Sequence, residues 1–301
     1  MIENSTITYS GFAALVGKPN AGKSTLINAL IGEKVAIVSD KPQTTRNRLA
    51  GFITENGHQL VLIDTPGIHK PVSSVGKFYV ESALGAMKES DFILWVTDAS
   101  SKPSPEDERV ASHIKRAGTE CWIILNKVDK LRNEEAVAQA EKAYIELFKP
   151  ACVKRISALK GEGVAELKSD LFNRLQPGPL YYPEDEFTDQ QERFLFGELI
   201  REKVFNLTSD EIPHCSAIGI EEVKPRDNGM LYIRATIYVE RESQKPIMIG
   251  ENGKMLKAIG QQARQSIEEL MDQKVYIDLW VKVKQNWREK ESFWRELGIK
   301  G

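Results

Sequence analysis

The feature that most restricts this chain is an eight-residue string, Gly17-Lys-Pro-Asn-Ala-Gly-Lys-Ser24, set between an apolar run and a helix-like segment. The pattern G-x-x-x-x-G-K-[ST] carries meaning only with a strand before it and a helix after it. Phe12–Val16 and Lys23–Leu30 supply both. The glycines let backbone N–H groups turn inward, and the helix that follows adds the positive end of its dipole, so the string forms a cradle for phosphate. The rest of the first half conforms. Gln59–Ile63, Phe92–Thr97, Cys121–Leu125 and Cys152–Ile156 read as strands, and Glu106–Ala117 and Glu134–Phe148 as helices. That alternation predicts an α/β domain with a mostly parallel sheet covered on both faces.

A chain of 301 residues exceeds what one core commonly fills, so two domains are expected. The α/β pattern stops at Gln176-Pro-Gly-Pro-Leu-Tyr-Tyr-Pro183, a joint unsuited to helix or strand. The expected division is a P-loop domain over 1–176, a linker over 177–187 and a second domain over 188–301. In that second part Thr188-Asp-Gln-Gln191 reads as a capping box opening a helix to about Leu207. His214–Lys224 and Met230–Glu240 read as a hairpin of two strands. Ile247–Ile249 and the tetrad Gly250-Glu-Asn-Gly253 follow, then a helix to about Met271. Its stripe of Met255, Ile259, Ala263, Ile267 and Met271 faces the core. A strand over Val275–Lys284 and a short helix around Trp287–Leu297 close the chain.

Composition narrows the function classes. With 41% hydrophobic residues, 28% charged residues and a net charge of −2, the molecule as a whole does not attract nucleic acid, so any such binding comes from a local patch. No apolar run approaches the roughly 20 residues that span a bilayer. Met1 to Ser10 lacks a leader pattern, and a cytosolic location is expected. Cys121, Cys152 and Cys215 lie far apart, which suits buried free thiols better than a disulfide or a metal site.

The candidate site assembles around the cradle. Gly17, Lys18, Pro19, Asn20, Ala21, Gly22 and Thr25 would surround the phosphates. Lys23 would reach the β- and γ-phosphates and assist catalysis, and the Ser24 hydroxyl would ligate Mg²⁺. Asp64-Thr-Pro-Gly67 ends the strand Gln59–Ile63. There Asp64 can hold Mg²⁺ through water and the Gly67 N–H can meet the γ-phosphate, with Thr65 and Pro66 between them. The polar loop Pro42-Gln-Thr-Thr-Arg46 offers a third metal ligand that also senses the γ-phosphate, and Thr45 is favoured over Thr44 because a Thr directly before Arg resembles related loops. Asn126-Lys-Val-Asp129 selects the base. The Asp129 carboxylate can accept from N1–H and N2–H₂ of guanine, whereas adenine would leave it unpaired. The Lys127 stem can lie over the base and Asn126 can tie this loop to the cradle. Ser157, Ala158 and Leu159 offer backbone N–H near guanine O6. GTP and GDP are the expected nucleotides.

These motifs, in this order and spacing, resemble the TRAFAC-class GTPases. The strings VGKPNAGKSTLIN, KPQTTR, DTPGIHKP and NKVD are similar specifically to the Era family of bacterial GTPases. The second half resembles the type II KH domain of that family: helix, hairpin, a helix broken by G-x-x-G, and a final strand. The resemblance implies a Ras-like P-loop domain followed by an α+β KH domain. It implies GTP hydrolysis, binding near the 3′ end of 16S rRNA, a part in maturation of the 30S subunit, and control of RNA binding by the GTP/GDP state. It also implies a peripheral association with the inner face of the membrane. Gly250, Glu251, Asn252 and Gly253 would meet RNA backbone, with Lys254, Lys257, Lys282 and Lys284 adding charge.

That charge is positioned rather than general. Residues 181–301 hold 18 Lys and Arg against 22 Asp and Glu, whereas 241–301 hold 12 against 9. Two departures bear on mechanism. Ile68 stands where Ras-like enzymes place a water-orienting glutamine, which implies slow intrinsic hydrolysis with no base assigned. Asn20 stands where relatives bind K⁺, which implies stimulation by potassium. A monomer is expected. Two other readings remain open from the sequence: an RNA-binding module with structural GTP, and a membrane-linked signalling GTPase whose KH-like half binds protein.

Overall fold

In the computed structural model, residues 7–39, 41, 45–46, 48–68, 74–209, 211–227 and 229–297 are described. In chain order the first half forms β1 (Tyr9–Val16), α1 (Lys23–Ile31), β2 (Leu49–Glu55), β3 (His58–Asp64), α2 (Ser74–Glu89), β4 (Phe92–Asp98), α3 (Pro105–Ala117), β5 (Glu120–Asn126), α4 (Glu134–Leu147), β6 (Cys152–Arg155), α5 (Val164–Phe172) and β7 (Gln176–Pro177). The sheet order is β2-β3-β1-β4-β5-β6. β2 runs antiparallel to β3 and the other pairs on this path are parallel. Alternation along the central strands splits the core into two layers. Ala13 and Leu15 of β1 join Leu26, Ile27 and Leu167 on one face, while Ala14 and Val16 join Met87, Val110 and Tyr144 on the other. Burial on both faces explains why these strands are apolar at nearly every position.

Parallel registry brings the strand ends to one edge. Leu15 pairs with Asp64, Val16 with Trp95, and Asp98 with Asn126. Because β1 lies between β3 and β4, the loop leaving β1 opens where the strand order reverses, the place where α/β sheets take ligands. Local signals set the helix limits: α3 starts at a capping box in which the Ser104 N–H donates to Asp107 Oδ2 at 2.8 Å, and it ends at Gly118 in the left-handed region.

The second half forms α6 (Glu192–Leu207), β8 (Ala217–Pro225), β9 (Leu231–Val239), α7 (Gln244–Ile249), α8 (Lys254–Met271), β10 (Val275–Val283) and α9 (Glu291–Glu296). Its sheet has the order β10-β9-β8, antiparallel between β8 and β9 and parallel between β9 and β10. Ile259 and Ala263 of α8 pack with Ile200 and Val204 of α6 on one face of this sheet, and Ile267 packs with Phe196 and Leu199 in the adjoining core. All three cysteines are free, and among the described residues no helix is long and apolar enough to cross a membrane.

Two expectations change here. The Pro-rich joint is tied down along its length. β7 pairs antiparallel with β1, and the Thr8 hydroxyl donates to Gly178 O at 2.6 Å. Tyr182 stacks on Phe52 with ring centres 3.7 Å apart, and the Phe52 N–H donates to Phe187 O. Thr188 opens no helix either. Its hydroxyl donates to Ala50 O at 2.9 Å, and α6 begins later, with Gln191 as an N-cap that makes no side-chain cap bond. The outer strand β2 has unpaired backbone groups, and Thr188 and Asp189 meet them instead of capping α6.

Gln59 holds the middle of this strap. Fully buried in β3, it accepts from the N–H of Tyr181 at 2.7 Å and of Tyr182 at 3.1 Å, and donates to Thr54 Oγ1 and Tyr182 O at 2.9 Å each. Gln59→Leu should lower unfolding free energy by about 1–3 kcal/mol in urea titrations. It should also open 178–187 to limited proteolysis, whereas an unchanged cleavage pattern would show the strap to be held elsewhere.

Candidate nucleotide site and nucleic-acid interface

The cradle is shaped by close approach. A Cβ on Gly17 would lie 2.4 Å from Val96 O, and one on Gly22, at φ +100°, would lie 2.2 Å from Asn126 Nδ2. Ala21 is fully buried, and Pro19, Asn20, Ser24 and Thr25 line the cleft with Val38, Thr45 and Gly67. Lys18 differs from expectation. Its ammonium turns away to Asp107 at 2.8 Å, so only its backbone faces the cradle. Lys23 is buried beneath the loop and donates to Gly17 O and Lys18 O at 3.3 Å each. Burial draws its pKa down to about 8, against the pull of Asp64.

Three oxygens converge beside Lys23. The Ser24 and Thr45 hydroxyls lie 2.8 Å apart, and Asp64 Oδ2 lies 2.9 Å from Ser24 Oγ and 3.3 Å from Thr45 Oγ1. Asp64 is fully buried and its Oδ1 has no partner among the described residues. Burial raises its pKa, opposed by Lys23 and the two hydroxyls. A buried carboxylate with one vacant oxygen and two hydroxyls beside it suits a hard cation such as Mg²⁺, which takes few protein ligands and completes its shell with water and phosphate. Among the described residues no group of three His, Cys, Asp or Glu side chains could hold a metal. Pro42, Gln43 and Thr44 lie outside the described residues, as do His69, Lys70 and Pro71.

The segment after Asp64 is fixed by backbone. The Thr65 hydroxyl donates to Leu15 O at 2.7 Å, so its side chain is structural, and Pro66 is buried beside it. A Cβ on Gly67 would lie 2.8 Å from Pro19 N. The Ile68 N–H donates to Gly17 O at 3.1 Å while its side chain, 1% exposed, packs into the core under the sheet. Ile68 therefore lacks a polar group and also faces away from the cleft.

The loop Asn126–Asp129, the candidate base selector, is anchored at three points. Asn126 donates from Nδ2 to Ala21 O at 2.9 Å and accepts at Oδ1 from the Ala158 N–H at 3.0 Å. The Ala158 N–H is thus engaged within the protein. The Ser157 N–H bonds Glu162 O, which shapes the turn that exposes Leu159. Lys127, at φ +67°, donates from Nζ to Asn20 O and to Asp98 Oδ2, both at 2.6 Å, which holds its stem across the loop. Asp98 was not singled out from sequence. Its signal is an acid at the end of a buried strand, and although burial opposes it, the bonds from Lys127 and Ser100 hold its carboxyl below the usual range. The Asp129 carboxylate is exposed and takes no ion pair among the described residues.

In the second half Gly250, at φ +75°, leaves no room for a side chain: a Cβ would lie 2.6 Å from Met255 Cβ. Asn252 and Gly253 are left-handed as well, but a Cβ on Gly253 meets open space. Glu251 and Lys254 are exposed and 4.0 Å apart. Gly253 and Lys257 line a groove between α8 and β10 with Gly260, Arg264, Tyr276 and Leu279. Arg264 and Tyr276 are additions that sequence reading missed, because only the fold sets them in the groove that Gly253 lines. Lys282 and Lys284 lie elsewhere. Lys282 projects from the sheet face away from α8, the face that also carries Tyr276, and pairs with Glu221 at 3.0 Å, and Lys284 lies over the Phe293 ring. Trp287 and Trp294 are buried and pack with Ala217 and Phe293.

Both halves of the chain match known families. Residues 12–127 match the family described as 50S ribosome-binding GTPase, and residues 211–288 match the KH domain family. The chain is 51% identical over 292 residues to the GTPase Era of Thermotoga petrophila, covering 97% of each, and 47% identical to that of Carboxydothermus hydrogenoformans. It superposes on the crystal structure of Aquifex aeolicus Era bound to GDP and AlF4⁻ with a TM-score of 0.94 at 38% identity, covering 98% of this chain and all of that one. A structure of Era with MgGDPNP and nucleotides 1506–1542 of 16S ribosomal RNA matches equally well.

The buried Lys23 sets a pH dependence. A phosphate in the cradle would bind its charged form, which is in place below its pKa of about 8 and must be restored by proton uptake above it. GTP affinity should therefore be flat below pH 8 and fall by up to about tenfold per unit above it. Calorimetry in buffers of different ionisation enthalpy should show proton uptake at pH 9, and none would place the lysine outside the phosphate contact.

Proposed function

Because the chain belongs to the GTPase Era family, we propose that it is a Mg²⁺-dependent GTPase that binds the 3′ region of 16S rRNA through its KH half. It serves maturation of the small ribosomal subunit, and its GTP or GDP state governs RNA binding. The observation that carries this reading is the meeting of Ser24, Thr45 and Asp64 beside Lys23, next to the phosphate loop that Asn126 ties to the strand end bearing the exposed Asp129. A nucleotide held only for structure needs no second hydroxyl beside the metal position. Site roles follow from that geometry. The backbone of 17–22 and Lys23 bind phosphate, while Ser24, Thr45 and the vacant oxygen of Asp64 surround Mg²⁺, which supplies charge neutralisation at the γ-phosphate when bound. Asp129 and the Leu159 end of the 157–159 turn read guanine, the Ser157 and Ala158 N–H groups being engaged within the protein.

The RNA contact is the tetrad with Lys254, Lys257 and the α8–β10 groove, where backbone can meet phosphates closely. The two separate sheets support a nucleotide part and an RNA part divided near 177–187, with Thr188 and Asp189 still held on β2 of the nucleotide part. A cytoplasmic location, with peripheral contact at the inner face of the membrane, belongs to this reading on the strength of the family alone.

Phosphate release measured with and without an rRNA 3′-end oligonucleotide tests the reading, and turnover that RNA never alters would count against a switch. Since Ile68 is buried away from the cleft, unassisted turnover should be slow. If Asn20 takes K⁺, turnover should be faster in potassium than in sodium buffer, and equal rates would remove that ion from the mechanism. For the RNA half, Gly253→Asp is the cleaner probe than Gly250→Asp, because its side chain enters open space and not Met255. It should reduce rRNA affinity at least tenfold by placing a carboxylate against phosphate, about 1.4 kcal/mol or more, and leave GTP affinity unchanged.

A further inference from the structure

Thr45 reaches the metal-site oxygens from the loop between α1 and β2, and the next side chain leaves the nucleotide half altogether. Arg46 is 5% exposed and lies in a socket built by the C-terminal half. Its Nη1 donates to Ser216 O at 2.6 Å, and its Nη2 to Pro213 O at 3.0 Å and His214 O at 3.4 Å. The guanidinium carbon lies 5.5 Å from the Phe205 ring centre and 5.7 Å from that of Trp287. The intervening carbonyl, Cys215 O, accepts from Trp287 Nε1 at 2.9 Å. Four consecutive carbonyls thus turn inward, three toward one guanidinium. Earlier parts of the same loop are held to α6 as well. Lys34 pairs with Glu202 at 2.8 Å, the Val38 N–H donates to the same carboxylate, and Lys41 donates to the carbonyls of Phe205 and Thr208 at the end of that helix.

We propose that Arg46 is a positioning residue for GTP hydrolysis: seated in the Pro213–Ser216 socket, it holds Thr45 on Ser24 and Asp64, so that the C-terminal half completes the metal-dependent site. The inference rests on the reading of Ser24, Thr45 and Asp64 as the Mg²⁺ site. Adjacent Cα atoms are 3.8 Å apart along a stiff peptide, so a shift of the anchored arginine carries Thr45 with it. Contacts of 2.8 and 3.3 Å leave the hydroxyl little slack. A planar guanidinium can serve three carbonyls while lying between two rings, and a lysine ammonium cannot.

The test is a Mg²⁺ titration of GTP turnover by the full chain. Arg46→Ala should raise the Mg²⁺ needed for half-maximal turnover and lower kcat, each by about tenfold, with KM for GTP and affinity for GDP within about twofold of the parent. Arg46→Lys should fall between. Thr45→Ala combined with Arg46→Ala should be no worse than Thr45→Ala alone, because both act through one hydroxyl. Retained GDP affinity reports that the nucleotide half is folded. Should Arg46→Ala fail to fold, Arg46→Lys and Phe205→Leu carry the same comparison from either side of the socket. A normal Mg²⁺ requirement in the arginine variants, or additive effects in the double variant, would overturn the proposal while Thr45→Ala still shifts that requirement. If Thr45→Ala leaves the requirement unchanged, the metal-site reading fails first and the proposal with it.

Discussion

The side-chain amide of Asn126 is the contact on which the nucleotide half depends. It donates to Ala21 in the phosphate loop and accepts from Ala158 in the loop after β6, so one planar group sets the spacing of three loops from three strands. Gly22 follows from it, since any side chain there would strike the Asn126 nitrogen at 2.2 Å. The phosphate cradle and the base pocket therefore share a single reference point. Aspartate could accept from Ala158 but could not donate to Ala21, which is why an isosteric acid is no substitute.

Much of this was legible in the sequence, for physical reasons that also mark where legibility ends. Strands buried on both faces announce themselves by unbroken apolar runs, and the phosphate, metal and base motifs sit at their ends. β2, α2 and α5 went unread. β2 is an outer strand interrupted by Gly51 and Thr54, and its identity as a strand comes from pairing with β3. The first residues of His214–Lys224 are not strand but the turn whose carbonyls receive Arg46, a tertiary demand that propensity does not encode. Thr188 shows the same conflict: its pattern fits a helix cap, yet the backbone of β2 claims its hydroxyl.

Charged residues were the least readable. Lys23 lines the cleft, and Lys127 is tied to it through Asn20 O, because their spacing from strand ends is fixed. Lys18 belongs to the same string, but its ammonium is drawn to Asp107, buried at the start of α3 and unseen from local sequence. Lys282 and Lys284 were grouped with the tetrad by proximity along the chain, whereas strand alternation and the Glu221 bulge put them on another surface. A lysine's neighbour in space is set by topology, and counts of charge over sixty residues cannot report it.

The strap along β2 has a consequence for how the two halves can be separated. A sheet edge with free N–H and C=O groups is a template for pairing with other chains, and natural proteins cover such edges. Here the cover is residues 182–189, bonded to Ala50, Gly51, Phe52 and Gln59. A fragment ended at the Pro-rich joint would keep every nucleotide motif and yet bare that edge, inviting strand exchange between copies. The soluble unit of the first half extends through Asp189, so the chain's most conspicuous breakpoint in composition is the wrong place to cut it.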